Sequence, residues 1–287
     1  MSPAPGSRNA RAALVLASPR GRSEASGLRG RTAARETDSQ KTVKELTLSD
    51  ITVMAQGYCV IGLERTAQGA FRSVRPLPRR SHAWPAFFPY GRGSIIRFSP
   101  AATPASMPHV EDQHTHGLAP TGEQIGEVEL VELLRRAEVS ANLDELFRCQ
   151  LHNDVQGGNA WAEPTSATRS ICGFEFRNVR FRVLSERGEA NLRAKLLLPS
   201  GEILYSLPVV DREWRQFFSE LVRSQSQSGT APSAEAFLNG PIRTELLRSP
   251  HRFARIGLAR GRSNEEKKCW LMLDSLFPQP NTAWLPQ

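Results

Sequence analysis

Long apolar runs are scarce in this chain of 287 residues; Leu196-Leu197-Leu198 is typical. Nothing approaches the roughly 20 residues needed to cross a bilayer. A membrane-spanning helix is excluded, no membrane partner is expected, and the expected location is the cytoplasm. Cysteine is also sparse. Cys59, Cys149, Cys172 and Cys269 are scattered and form no C-x-x-C pair. That spacing argues against a structural zinc cluster or a dense disulfide frame, and it fits a reducing compartment in which each Cys is a small buried hydrophobe.

The motifs of common catalysis are missing as well. There is no G-x-S-x-G, no Gly-rich phosphate loop ending in Lys-Ser/Thr, and no G-x-G-x-x-G after a strand. Ser, His and Asp occur throughout, but no spacing gathers them into a triad. No catalytic residue and no cofactor are therefore assigned, and a non-enzymatic role is expected.

Charge is unevenly placed. The net charge is +8, but residues 1–42 hold seven Arg and one Lys against three acids, leaving only +3 for the other 245 residues. The high isoelectric point is mostly a property of this tail, so a nucleic-acid surface has to be a local patch. Rich in Arg, Ser, Ala and Gly, residues 1–42 read as a disordered basic tail. A transit-type segment, or upstream sequence included by a start choice, are the other readings.

From Val43 onward short strands dominate. Tyr58–Glu64 and Ala70–Pro76 flank the turn RTAQG, and Ser94–Phe98 makes a third run. Residues 99–122, rich in Pro and His, read as a long excursion. Gln124–Leu134 reads as a strand passing into a helix, and SANLDELFRCQ as a short helix capped by Ser140 or Asn142. Four more strands are expected at Ile171–Phe176, Val179–Ser185, Ala190–Leu198 and Glu202–Leu207. Asp211 opens a helix whose Trp214, Phe217, Phe218 and Leu221 form one apolar stripe. Residues 224–233 read as a polar linker, followed by strands at Arg252–Leu258 and Cys269–Leu273.

The expected fold is mainly β with minor α: two small OB-like β-barrels packed in tandem, over residues 43–150 and 151–287. The chain writes I-G-L-x-R twice, at Ile61–Arg65 and Ile256–Arg260. A Gly inside a strand points to a tight bend or a close backbone approach, with the terminal Arg turned away from the core.

Several stretches together resemble one family. They are LTLSDITVMAQGYCVIGLE ending at Glu64, FRSVRPLP at 71–78, PHVED at 108–112, LPVVDREW at 207–214, and RIGLARG followed by CWLMLDSLFPQP up to Pro280. In order and spacing, from about residue 47 to the end, the chain resembles the dual OB-containing domain family, a bacterial family with two fused OB-type barrels. VVD stands where that family more often has a Thr-Asp pair, a departure that touches helix capping. The tail 1–42 has no counterpart. The resemblance implies a nucleic-acid or nucleotide-binding module, an accessory or sensor in a prokaryotic defence system with a protein partner from the same locus. It brings no catalytic residues.

Three clusters are candidate ligand sites. The window 71–97 holds six Arg, no acid and several rings. Single-strand binding needs a positive groove with flat side chains for stacking; Arg72, Arg75, Trp84 and Arg97 are the candidates. PHVEDQHTHG concentrates His109, Glu111, Asp112, His114 and His116 within eight residues. His109, Glu111 and Asp112 either tie a long connection to the barrel or meet a ligand. The rival reading is a metal-dependent hydrolase centred on Asp112, His114 and His116, although no H-E-x-x-H spacing is present. Finally, Arg255 and Arg260 belong to a C-terminal cationic cluster. A protein–protein scaffold using exposed barrel edges is the third function class.

Overall fold

The computed structural model describes residues 43–101, 107–152, 159–186, 189–228, 233–260 and 268–285. The expected tail at 1–42 lies outside these residues, as do 229–232 of the expected linker.

Five strands build the first half: β1 (Lys44–Met54), β2 (Gly57–Arg65), β3 (Phe71–Pro78), β4 (Ser94–Pro100) and β5 (Asp112–Gln124). They close into a barrel in the order β1-β2-β3-β5-β4. The ladder is antiparallel throughout except for β3 and β5, which run parallel with Arg75 opposite Asp112. Leu46 opposite Ile96 returns the sheet to β1. This order is compatible with an OB-like barrel. Inward-facing Leu46, Leu48, Ile51, Val60, Val74, Ile96 and Phe98 fill it.

β1 and β5 depart from the expectations. Residues 99–122 are not simply an excursion: 99–100 end β4 and 112–122 belong to β5, while 102–106 lie outside the described residues. The strand DQHTHGLAPTGEQ lacks an apolar alternation because it is mostly exposed, so period-2 reasoning has nothing to register. β1 hides for the opposite reason: Leu48 through Thr52 are all buried, polar residues included.

Two helices follow, α1 (Glu127–Ala137) and α2 (Leu143–Leu146). Leu130, Val131 and Leu134 of α1 pack on Leu63 of the barrel and on Phe253 and Phe277 of the second half. Of the two proposed caps, Asn142 is the one used; its side chain accepts from the Glu145 N–H.

The second half runs β6 (Leu151–His152), β7 (Trp161–Ala162), β8 (Ile171–Glu175), β9 (Asn178–Glu186), β10 (Glu189–Leu197), β11 (Ile203–Pro208), α3 (Arg212–Ser228), α4 (Ala234–Phe237), α5 (Arg243–Arg248), β12 (Phe253–Leu258) and β13 (Cys269–Phe277). Its strands lie in two sheets, β11-β10-β9 and β6-β7-β13-β12-β8. Just past β11, one parallel bridge links Val209 to Leu273. Asp211 opens α3 as the sequence suggests, its Oδ1 accepting from the Trp214 N–H at 3.1 Å. All four stripe residues are buried. The helix runs on through Ser228, so the first part of the expected linker is helical.

The two I-G-L-x-R copies fall on β2 and β12, which hold different places in their sheets. In both, Gly permits a close approach. A Cβ on Gly62 would lie 2.5 Å from Leu46 Cγ and 2.7 Å from the Thr47 carbonyl; one on Gly257 would lie 2.1 Å from Asp274 Oδ2. Arg65 is exposed, whereas Arg260 is only partly so. Gly62→Ala is expected to lower stability by about 1–3 kcal/mol through overpacking. Gly117→Ala, where a Cβ meets nothing within 4 Å, should be near neutral. Chemical denaturation of both variants checks this, and equal midpoints would show that the Gly62 contact relaxes without cost.

Candidate functional site

Where β1 meets β12 and β13, the chain buries charge. Arg255 is fully inaccessible. Its Nη1 donates to Asp50 and to Ser49 Oγ at 2.7 Å, and its Nη2 to Ser73 Oγ at 2.5 Å and Glu138 Oε2 at 3.2 Å. Ser275 adds a further donor to Asp50. One guanidinium thus gathers β1, β3, the end of α1 and β12 around itself. An ion this deep persists only when its charge is answered and hydrogen bonds are made to it; here both terminal nitrogens are bonded, while Nε has no partner.

Two similar knots flank it. Arg92 pairs with Asp211, and with Glu213 at 3.0 Å. Arg75 donates to Asp112 at 2.9 Å, to Ser170 Oγ at 3.2 Å and to His109 Nδ1 at 3.1 Å. Because Arg only donates, the His109 proton sits on Nε2. Burial, with Arg75 and Arg260 nearby, pushes His109 down to about 3, so the ring stays neutral. Glu111 receives the Ser170 N–H at 2.9 Å and hydroxyl at 2.7 Å, and burial raises its pKa. Arg260 closes on Asp112.

Five of the nine candidate residues, Arg75, His109, Glu111, Asp112 and Arg260, therefore meet in one cluster, and Arg255 centres the neighbouring one. The other three stand apart. Arg72 pairs with Glu64 at 2.7 Å, Arg97 with Glu45 at 3.2 Å, and Trp84 donates its Nε1–H to the Pro76 carbonyl at 2.8 Å. His114 and His116 lie on β5, and His114 Nδ1 is 3.3 Å from the Pro78 carbonyl. Among the described residues no group of three or more His, Cys, Asp or Glu is arranged to hold a metal ion.

Sequence reasoning placed neither Asp50 nor Asp274 at the site, and it read Asp211 only as a helix start. Their signal was an ionisable residue inside an apolar strand run or at its end, as in LTLSDI and LMLDSL. Asp274 differs from the rest. It is 3% exposed, and its Oδ1 has no hydrogen-bond partner. Burial and then the Asp50 charge raise its pKa to about 8, against the pull of Arg75 and Arg255.

A second feature lies on the sheet β11-β10-β9. Val179, Phe181, Leu192, Ala194 and Leu196 point into the core, so alternation turns Arg180, Arg182, Arg193 and Lys195 to the other face. The register sets Arg193 opposite Arg182 and Lys195 opposite Arg180. Like charges directly opposite disfavour a ladder. Among the described residues Arg180 and Arg182 make no ion pair, and Lys195 Nζ sits 4.5 Å over the Tyr205 ring. These side chains line a groove of about 320 Å3. The acid in its lining, Glu235, accepts the Val183 N–H at 2.9 Å. Asn239 likewise bonds the Phe181 N–H and carbonyl, each at 2.8 Å. Polar side chains thus cover the edge of β9.

No family model matches the chain, and no curated protein and no solved structure matches it either.

Arg255→Met leaves Asp50 buried without its cation and is expected to cost about 3–5 kcal/mol, read as a lower denaturation midpoint; an unchanged midpoint would contradict the burial of this pair. Asp274 gives a pH dependence of known sign. Its folded pKa, about 8, exceeds the ordinary 3.8, so the native state holds the proton more tightly than the unfolded chain. Stability from this group is therefore greatest at low pH and is lost as pH rises between those values. Wild type should lose stability relative to Asp274→Asn across that window, and parallel stability curves would refute the assignment.

Proposed function

We propose that the chain is a non-catalytic binding protein for single-stranded nucleic acid, built from two OB-like barrels, and that the contact face is β9-β10-β11. Support for a second barrel comes from strand neighbours. β8 and β9 are two residues apart and pair with β12 and β10 respectively. β13 runs parallel beside the end of β11 at Val209. Read as one bent strand followed by β10, β11, β12 and β13, this repeats the order of the first half.

The observation that carries the functional reading is the set of facing cations. Arg180, Arg182 and Lys195 face an open groove beside Tyr205, with Arg193, which donates to the Ser206 carbonyl at 3.1 Å, across from Arg182. A polyanion relieves their repulsion, gains bidentate phosphate contacts from Arg, and offers bases to a flat ring. Arg243 lines an adjoining groove of about 270 Å3 with Arg180 and Lys195, extending the track. On the first barrel Arg72 and Arg97 each already face a carboxylate, so they offer less free charge to a phosphate. An accessory or sensor role in a defence system, with a protein partner from the same locus, fits such a module and rests on the family resemblance.

The test compares two double variants. Arg180→Ala/Arg182→Ala should weaken binding of a single-stranded oligonucleotide roughly tenfold at moderate salt and lower the slope of log affinity against log salt by about 2. Arg72→Ala/Arg97→Ala should change little. Reversal of this order would move the contact face to the first barrel, and wild type that binds no oligonucleotide would end the reading.

A further inference from the structure

The edge of the sheet β6-β7-β13-β12-β8 carries a row of flat side chains. Trp161 stands directly opposite His152 on one side and Trp270 on the other. Residues paired in this way share one face of a sheet. Ala160, Ala162, Cys269 and Leu271 are buried in the core, so alternation turns Trp161 and Trp270 outward. All three rings are half-buried. The His152 and Trp161 rings stack, with centroids 3.8 Å apart and planes 12° from parallel. Lys268 is exposed, and its Nζ lies 4.7 Å from the Trp161 ring centre and 5.6 Å from that of Trp270. Since His152 takes one face of Trp161, the ammonium covers the other.

This row adjoins the basic groove. Arg193, in the groove lining, donates to Asn159 Oδ1 and to the Ser206 carbonyl. Asn159 precedes Trp161 by two residues, a reach of at most about 7 Å along the chain. Both surfaces are outer faces over one core, in which Ala162 and Leu271 pack with Phe181 and Ala194.

We infer that Trp161 and Trp270 form a base-stacking subsite for single-stranded nucleic acid that leaves the β9-β10-β11 groove, an inference that rests on the function proposed above. A base takes the place of the Lys268 ammonium against the indole rings. The exchange is favourable because an exposed cation–π contact is weaker than base–aromatic stacking. Lys268, on its flexible stem, then turns to a phosphate of the same strand. His152 backs Trp161 and holds its ring in place. Every base has a flat face, so the subsite separates a base-bearing strand from a bare sugar–phosphate chain without reading sequence. The arginines of the groove supply charge, and the tryptophans supply the requirement for bases.

Fluorescence anisotropy of the full chain with a single-stranded thymidine oligonucleotide and an abasic strand of equal length tests it. Wild type should bind the abasic strand at least tenfold more weakly. Trp161→Ala/Trp270→Ala should lose about tenfold on the thymidine strand, bind the two strands alike, and keep the wild-type salt slope, because no charge is removed. Trp161→Phe/Trp270→Phe should retain the preference for bases. Lys268→Ala should lower the slope of log affinity against log salt by about 1. The inference is overturned if wild type binds both strands equally, if the double Ala variant keeps the preference, or if Lys268→Ala leaves the slope unchanged. Any of these in a protein that still binds the oligonucleotide removes this subsite and leaves the β9-β10-β11 reading standing, whereas no oligonucleotide binding at all removes both. The abasic comparison uses the native protein, so it decides even where a variant folds poorly.

Discussion

The Arg255–Asp50 ion pair is the contact on which the joined halves depend. It sits with both side chains inaccessible to solvent, where a lone charge would be prohibitively costly. Its hydrogen-bonding neighbours come from four separate stretches of chain: Ser49 and Asp50 from β1, Ser73 from β3, Glu138 after α1, and Ser275 from β13. An apolar seam tolerates sliding by a fraction of a residue. A seam closed by oriented donors does not, because a shift leaves a buried charge unpaired. The Arg75–Asp112 and Arg92–Asp211 pairs repeat the device on either side.

This construction sets two groups of cations apart. Arg75, Arg92 and Arg255 are interior and answered by carboxylates. Arg180 and Arg182 are exposed, and cations rather than acids stand opposite them. Of these two groups, the second is the one that can release counterions to a polyanion. Net charge is therefore a poor guide to where such a ligand docks. The window 71–97 looks strongly basic in linear order, yet folding brings Glu64, Glu45, Asp112, Asp211 and Glu213 against four of its six arginines. The β9–β10 face is less conspicuous in the sequence and more basic in space.

Asp274 belongs to neither population. It shares the seam with three arginines, but no donor reaches its Oδ1, and Gly257 is shaped around it. The glycine of the second I-G-L-x-R copy thus serves a carboxylate, whereas the glycine of the first serves strand packing against Leu46. One four-letter pattern meets two unrelated physical demands, so its recurrence says little about duplication.

Local chemistry was readable along the chain. Strands with an alternating or apolar pattern, the Asn142 cap, the Asp211 helix start and the Trp214–Leu221 stripe all follow from side-chain period and hydrogen-bonding capacity over a few residues. The exposed strand β5 was not readable, since a strand held mainly by its neighbours' backbone carries no apolar signature of its own. Nor could the sequence reveal which arginine meets which acid. Arg255 and Asp50 are 205 positions apart, and at that separation only the closed tertiary structure decides whether a charge ends in an ion pair, on an open face, or beside a cavity.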